Sequence, residues 1–395
     1  MATLSTRSGA PSGSGGLKRL VNHLRRWIIV AARKAGSKLN IPIRGPVGLD
    51  HDSNQTLKVV DREREVLCTP APQLMSGTHP LFMRTSILFQ QTWVRQMEKC
   101  IVYGPTVGVV SSDNFLIPGV SIEWSCPPEL HWTFRKLRLP TPTPLAGRSL
   151  ILGSTGGDSY FHWMTDVLPR VRLIKEAGYE INSFDHFIIN KLEAGYQKET
   201  LDYLKIPLKK IREIGTKPSG YLCEHAVLPS LPSFPGAVPP ETIHYVRSIV
   251  PETTFEKGVK LYIERGKSKR RRIPEEGRII DWLKMQSFKV IDCGEMSVKD
   301  QAAAFAQAEL IVSPHGGALT NLLFCRLGTK VVELLSSEYP NPCYRDLCGV
   351  AKLPYVGIIG NSQNSETTSD LSDSSGPIET TLEDIKKALE QISLC

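Results

Sequence analysis

Between residues 258 and 335, short β-branched runs alternate with stretches of helical period, and no other feature constrains the fold of this chain as tightly. The runs 260–265, 288–293, 309–313 and 329–335 read as strands rich in Val, Ile and Leu. The stretches between them, 274–286, 297–308 and 318–324, place apolar residues at helical spacing. Pro274 stands near the start of the first, and Ser297 with Asp300 resembles a capping box at the start of the second. Strand and helix repeated in this order predict a parallel sheet covered by helices on both faces.

A looser alternation covers 148–231. The runs 149–154, 186–190, 210–215 and 223–231 read as strands, and 160–177 and 196–206 as helices, the first kinked by Pro169. Residues 50–145 mix strand-like runs with frequent Pro and Gly. The Pro-rich run 232–240 separates the two patterns and marks a domain boundary. The expected fold class is α/β, with two doubly wound, Rossmann-like domains facing a cleft. They span 50–232 and 233–360, and 361–395 forms a Ser/Thr-rich linker and a terminal helix. Ligands of open α/β sheets sit outside the carboxyl ends of the strands.

The chain has 395 residues with 48 Lys+Arg and 40 Asp+Glu, but the excess is local. Residues 1–49 hold nine basic and no acidic side chains, leaving 39 basic and 40 acidic in the rest. The basic arm therefore says little about the body. Within it, 17–34 has an apolar helical stripe flanked by arginines, which suits either docking on the body or peripheral contact with an anionic membrane. Its longest apolar run, six residues at 27–32, is far short of the roughly 20 that span a bilayer. No aromatic-rich basic module follows, so no nucleic-acid partner is expected. Nine scattered cysteines form no CxxC, which fits reduced, structural thiols.

Three segments carry chemistry. In 313–321, His315, Gly316 and Gly317 follow a strand and open a helix whose free N–H groups favour an anion such as phosphate, and Asn321 closes the segment. In 156–170, His162 and Asp166 are four residues apart on one helix face, as a proton-accepting pair needs. In 262–272, Arg265, Arg271 and Arg272 lie at and beyond a strand's carboxyl end, where guanidinium groups bind phosphate oxygens bidentately. Each also has a plainer reading, as a tight turn, a satisfied polar pair or a solvated loop. There is no GxGxxG after a strand, no GxxxxGK[ST] and no GxSxG. Asp50 and Asp52 form a lone DxD in the polar arm region.

Taken together, the three segments resemble glycosyltransferase family 61 over about 148–360. Residues 314–335 are similar to its C-terminal signature, 158–171 to its N-terminal one, and 262–272 to its Tyr-Ile-Ser-Arg strand and following arginines. Gly-Gly-Ala at 316–318 replaces the commoner Gly-Ala-Gly, and Glu264 the usual serine.

The resemblance implies a GT-B-like fold and an inverting transfer from a nucleotide-sugar donor, a UDP-sugar first among candidates, to a glycan acceptor in cell-surface polysaccharide synthesis. It implies no metal and no other cofactor. Arg265 with Arg271 or Arg272 would grip the diphosphate, and His315, Gly316, Gly317 and Asn321 would line the donor site. Glu333, at a strand end, would reach the ribose hydroxyls, and Asp166 or His162 would be the acceptor base. Two alternatives stay open: a catalytically silent nucleotide-sugar-binding protein of the same fold, and a metal-dependent transferase using Asp50 and Asp52. With no membrane anchor read, the expected location is cytoplasmic, peripheral on the inner membrane face where 17–34 binds lipid.

Overall fold

The computed structural model describes residues 56–68, 73–74, 80–112, 114–124, 126–136, 139–215, 219–233, 237–252, 258–266, 268, 270–360 and 376–394. The basic arm and the Asp50/Asp52 pair lie outside the described residues.

The first sheet is built from β1 (Thr56–Asp61), β5 (Thr92–Tyr103), β6 (Gly108–Val110), β7 (Thr143–Ile151), β8 (His186–Asn190), β9 (Ile211–Ile214) and β10 (Gly220–Pro229). Its order is β1-β5-β10-β7-β8-β9, with β6 on β5. β10, β7, β8 and β9 are parallel, and Leu150, Ile151, Phe187, Ile188 and Ile189 on the central strands are buried, as a sheet covered on both faces requires. β1, β5 and β6 pair antiparallel. The expectation of a doubly wound first domain therefore holds for only part of this sheet. The 12-residue β5 pairs antiparallel with β1, β6 and β10, and only its link to β6 is a hairpin, where a wound fold needs parallel strands and helical crossovers. A separate two-stranded antiparallel sheet pairs β2 (Arg64–Leu67) with β4 (Ser86–Phe89).

The second sheet has β11 (Val259–Ile263), β12 (Phe288–Ile291), β13 (Ala308–Pro314), β14 (Lys330–Leu335) and β15 (Tyr355–Ile359) in the order β12-β11-β13-β14-β15. Every pairing in it is parallel. Winding turns back between β11 and β13, so loops leaving those two strands diverge and open a crevice at their carboxyl ends. A short sixth strand, β3 (Gln73–Leu74), comes from the first half of the chain and pairs with β15.

The helical stretch expected over 160–177 is an α-turn (Tyr160–His162), a π-turn (Trp163–Val167) and a helix (Arg170–Glu176). Pro169 is the cause. It has no N–H to give the Thr165 carbonyl, which accepts instead from Ser233 Oγ at 2.8 Å. Just before it, the Leu168 N–H reaches back five residues to Trp163 O at 3.0 Å.

One apolar core runs through both halves, from Trp163 and Val167 to Phe305, Leu319, Leu322 and Tyr344. Polar contacts lock the junction. Glu199 accepts from the N–H groups of Val298 (2.9 Å) and Lys299 (3.1 Å), capping the helix Val298–Gln307 from the opposite half. Within the second half, Arg247 Nη2 donates to the Cys325 carbonyl at 2.6 Å.

Candidate active site

His162 and Asp166 stand where the chain leaves β7. Asn190 at the end of β8 holds the intervening turn, accepting from Ser154 N at 3.0 Å and donating to Ser154 O at 2.8 Å. Gly156 has φ +75°, and a Cβ there would lie 2.8 Å from the His162 ring, so only glycine lets the turn fold against the imidazole. His162 Nδ1 is 2.6 Å from Asp166 Oδ2, and the two side chains are 18% and 10% exposed. A carboxylate only accepts, so the shared proton belongs on Nδ1, and in the neutral ring the lone pair is on Nε2.

Behind Asp166 lies Arg170, fully buried, whose place in this site polarity alone does not reveal. Its guanidinium donates to the carbonyls of Leu152 (3.0 Å), Gly153 (2.5 Å) and Ser230 (3.2 Å), tying the ends of β7 and β10 together. Burial pushes its pKa down to about 10, against the opposing pull of Asp166.

The second cluster forms at the crevice between β11 and β13. Arg265, just past β11, donates from Nη1 to the His315 carbonyl at 2.5 Å and from Nη2 to Ser268 Oγ at 3.0 Å. Its Nε is buried without a partner. Burial first, and neighbouring Arg271 second, push its pKa down to about 10. Two guanidinium groups thus stand close enough to repel, an arrangement that favours an anion between them. Gly316 makes room: a Cβ there would lie 2.4 Å from Arg265 Nη1. Arg271 sits 5.2 Å over the Tyr339 ring, whereas exposed Arg272 turns its Nε to the Ser268 carbonyl at 3.2 Å.

Two residues expected in the donor site point elsewhere. Glu333 is fully buried, and its oxygens accept from His315 Nδ1 at 2.5 Å and Tyr355 OH at 2.6 Å. Neither Glu333 oxygen is left without a partner to meet a ribose; Glu333 instead fixes the His315 ring. Asn321 is also fully buried. It accepts from Tyr160 OH at 2.7 Å and donates to Gln301 Oε1 at 2.6 Å and Ala318 O at 3.0 Å, joining the two halves. The segment expected as an α-helix after Gly316 is a 3-10 run, Gly317–Phe324, in which Leu319 and Leu322 eclipse on the buried side.

The clusters are joined by rings. His315 lies 5.1 Å from Tyr344, Tyr344 5.7 Å from Phe161, and Phe161 5.1 Å from His162. Beside this path, a cavity of about 490 Å³ is bounded by Tyr160, Tyr196, Cys293, Met296, Gly317 and Ala318. A larger one of about 690 Å³, lined by Lys260, Lys330 and Trp282, sits at the amino ends of the strands, the wrong end for a ligand of such a sheet.

A protein-family model described as Glycosyltransferase 61 matches residues 160–332. These residues belong to glycosyltransferase family 61. The family 61 region takes in His162, Asp166, Arg170, Arg265, His315 and Gly316, so the His162–Asp166 pair and the Arg265–His315 bridge both fall inside it. No curated protein matches the chain. Among solved structures, one described as the dodecameric iron-containing heptosyltransferase TibC in complex with ADP-D-beta-D-heptose aligns over 74% of this chain and 85% of its own. At TM-score 0.29 and 11% identity, that likeness is too slight to extend the family 61 match.

Proposed function

We propose that this family 61 glycosyltransferase works by inversion on a GT-B-like frame. It moves a sugar from a nucleotide-sugar donor, UDP-linked first among candidates, to a hydroxyl of a glycan acceptor in cell-surface polysaccharide synthesis. The observation that carries this reading is the Arg265 bridge to the His315 carbonyl at the β11/β13 crevice, joined through Tyr344 and Phe161 to the His162–Asp166 pair.

In this reading Arg265 and Arg271 hold the donor diphosphate, with the Gly316 and Gly317 amides beside them. Arg271 is favoured over Arg272 because it stands next to Arg265. His162 Nε2 takes the proton of the acceptor hydroxyl, and Asp166 stabilises the imidazolium that results. The acceptor oxygen attacks the anomeric carbon from the face opposite the diphosphate. The bond to the diphosphate oxygen breaks, and the arginines meet the charge that grows there. One displacement inverts the anomeric centre and calls for one base and no covalent nucleophile. Asp166 thus orients, and His162 is the base. Among the described residues no helix is long and apolar enough to cross a membrane, and we place the enzyme at the cytoplasmic face, with 17–34 as its lipid contact.

The test is thermal stability of the purified full-length chain with UDP, GDP, ADP and their sugars, in chelator. Ligand at 100 times its dissociation constant stabilises by about 2.7 kcal/mol. Stabilisation of the wild type, its loss in Arg265→Ala, and release of nucleoside diphosphate from one donor are expected. Absence of any shift with or without metal would overturn the reading, and a shift only with metal would move it to Asp50 and Asp52.

A further inference from the structure

We propose that Trp124 is the platform on which the acceptor's sugar ring lies, so that the site takes a pyranose face-on beside His162. The inference rests on the transferase reading above and names where the acceptor binds.

Trp124 is 55% exposed, while Trp93, Trp132 and Trp163 are exposed by 6% or less. Leaving an indole in water forfeits much of what its burial contributes, so its position needs a cause. Its ring centroid lies 4.6 Å from that of His162, with the planes tilted by 57°. One edge therefore rests on the imidazole while much of the ring remains open.

The loop that presents it is tied down on both sides. Thr155 Oγ1 donates to the Ile122 carbonyl at 2.5 Å, fastening the loop to the turn that leads into His162. The Glu123 carboxylate accepts from Arg135 Nη2 at 2.6 Å and from Trp132 N at 2.7 Å. Cys126 N donates to Glu123 O at 3.1 Å. With its neighbours fastened, little loop ordering remains to be done when a ligand arrives.

The chemistry of the exposed face selects the ligand. An indole face is broad, apolar and electron-rich. A pyranose offers a face of C–H bonds that is apolar and weakly positive, with its hydroxyls at the rim. Stacked on Trp124, such a ring directs a rim hydroxyl toward His162, as a base acting on an acceptor requires. A nucleobase would also stack, but the paired arginines that hold a diphosphate are at the other cluster.

The experiment is saturation-transfer NMR on the full-length wild type, Trp124→Ala and Trp124→Phe. The probes are methyl β-D-xylopyranoside and methyl β-D-glucopyranoside, and stabilisation by UDP, GDP and ADP is read in parallel. Transfer to the ring C–H protons of at least one pyranoside is expected in the wild type. It should weaken about two- to tenfold in Trp124→Ala, the span of aromatic-face contacts, and recover in Trp124→Phe. Nucleotide stabilisation should survive both changes. Equal transfer in wild type and Trp124→Ala overturns the platform, as does absence of transfer from both pyranosides to a wild type that binds nucleotide. A wild type that binds neither nucleotide nor pyranoside fails the transferase reading itself.

Discussion

His315 Nδ1 and Glu333 Oε1 lie 2.5 Å apart with both side chains withdrawn from solvent, and the second Glu333 oxygen is held by Tyr355. Removing one partner of such a buried pair strands the others. Glu333→Ala should cost about 3–5 kcal/mol in denaturant unfolding, and Glu333→Gln less. If Glu333 held the ribose, Glu333→Gln would instead raise donor KM with stability unchanged.

His162 and Asp166 should separate by kinetics. His162→Ala removes the base and should lower kcat about 10²–10⁴-fold with donor affinity retained. Asp166→Asn leaves the imidazole but turns an acceptor into an amide that can donate, and should lower kcat by a smaller factor. A larger loss in Asp166→Asn than in His162→Ala would assign the base to Asp166.

Gly316 offers a clean test of Arg265. Its φ of 176° is ordinary extended backbone, so alanine brings no strain, only a methyl 2.4 Å from Arg265 Nη1. Gly316→Ala should displace the guanidinium and raise donor KM about tenfold, the worth of one charge-assisted hydrogen bond, at unchanged melting temperature. Normal donor affinity would remove Arg265 from the diphosphate site.

His131 predicts a pH dependence of stability. It is 1% exposed, and burial first, with Arg135 second, depresses its pKa to about 4. Between roughly pH 6.5 and 4 the unfolded chain binds a proton there that the folded chain refuses, so stability falls as pH falls, by about 3 kcal/mol in all. Denaturant midpoints across that window should show the decline, and His131→Gln should flatten it.

The second sheet was legible from sequence because its strands are short, apolar and separated by clear helical periods. The end of β5 and β6 showed as strand-like, but the antiparallel pairing of β5 with β1 and β10 did not, since pairing across distant segments leaves no local mark. The contact between His162 and Asp166 and the place of Arg265 past a strand end were legible from spacing and position; their part in a reaction belongs to the proposal above. Glu333 and Asn321 were misread because sequence reports that a side chain is polar and not which way it points; a buried polar group turns inward to its partners. Arg170 and Trp124 were missed for the converse reason. A buried arginine and an exposed tryptophan reverse the usual preference, and only coordinates reveal the reversal.

The apolar core that passes from Trp163 through Leu319 to Tyr344 has a mechanical meaning. Two lobes joined by a hinge can swing shut on a substrate and swing open on a product. Two halves that share one packed interior would have to shear it to do so, and close-packed interiors yield little. The space around the two side-chain clusters is therefore cast when the chain folds. A molecule that enters it meets walls already in place.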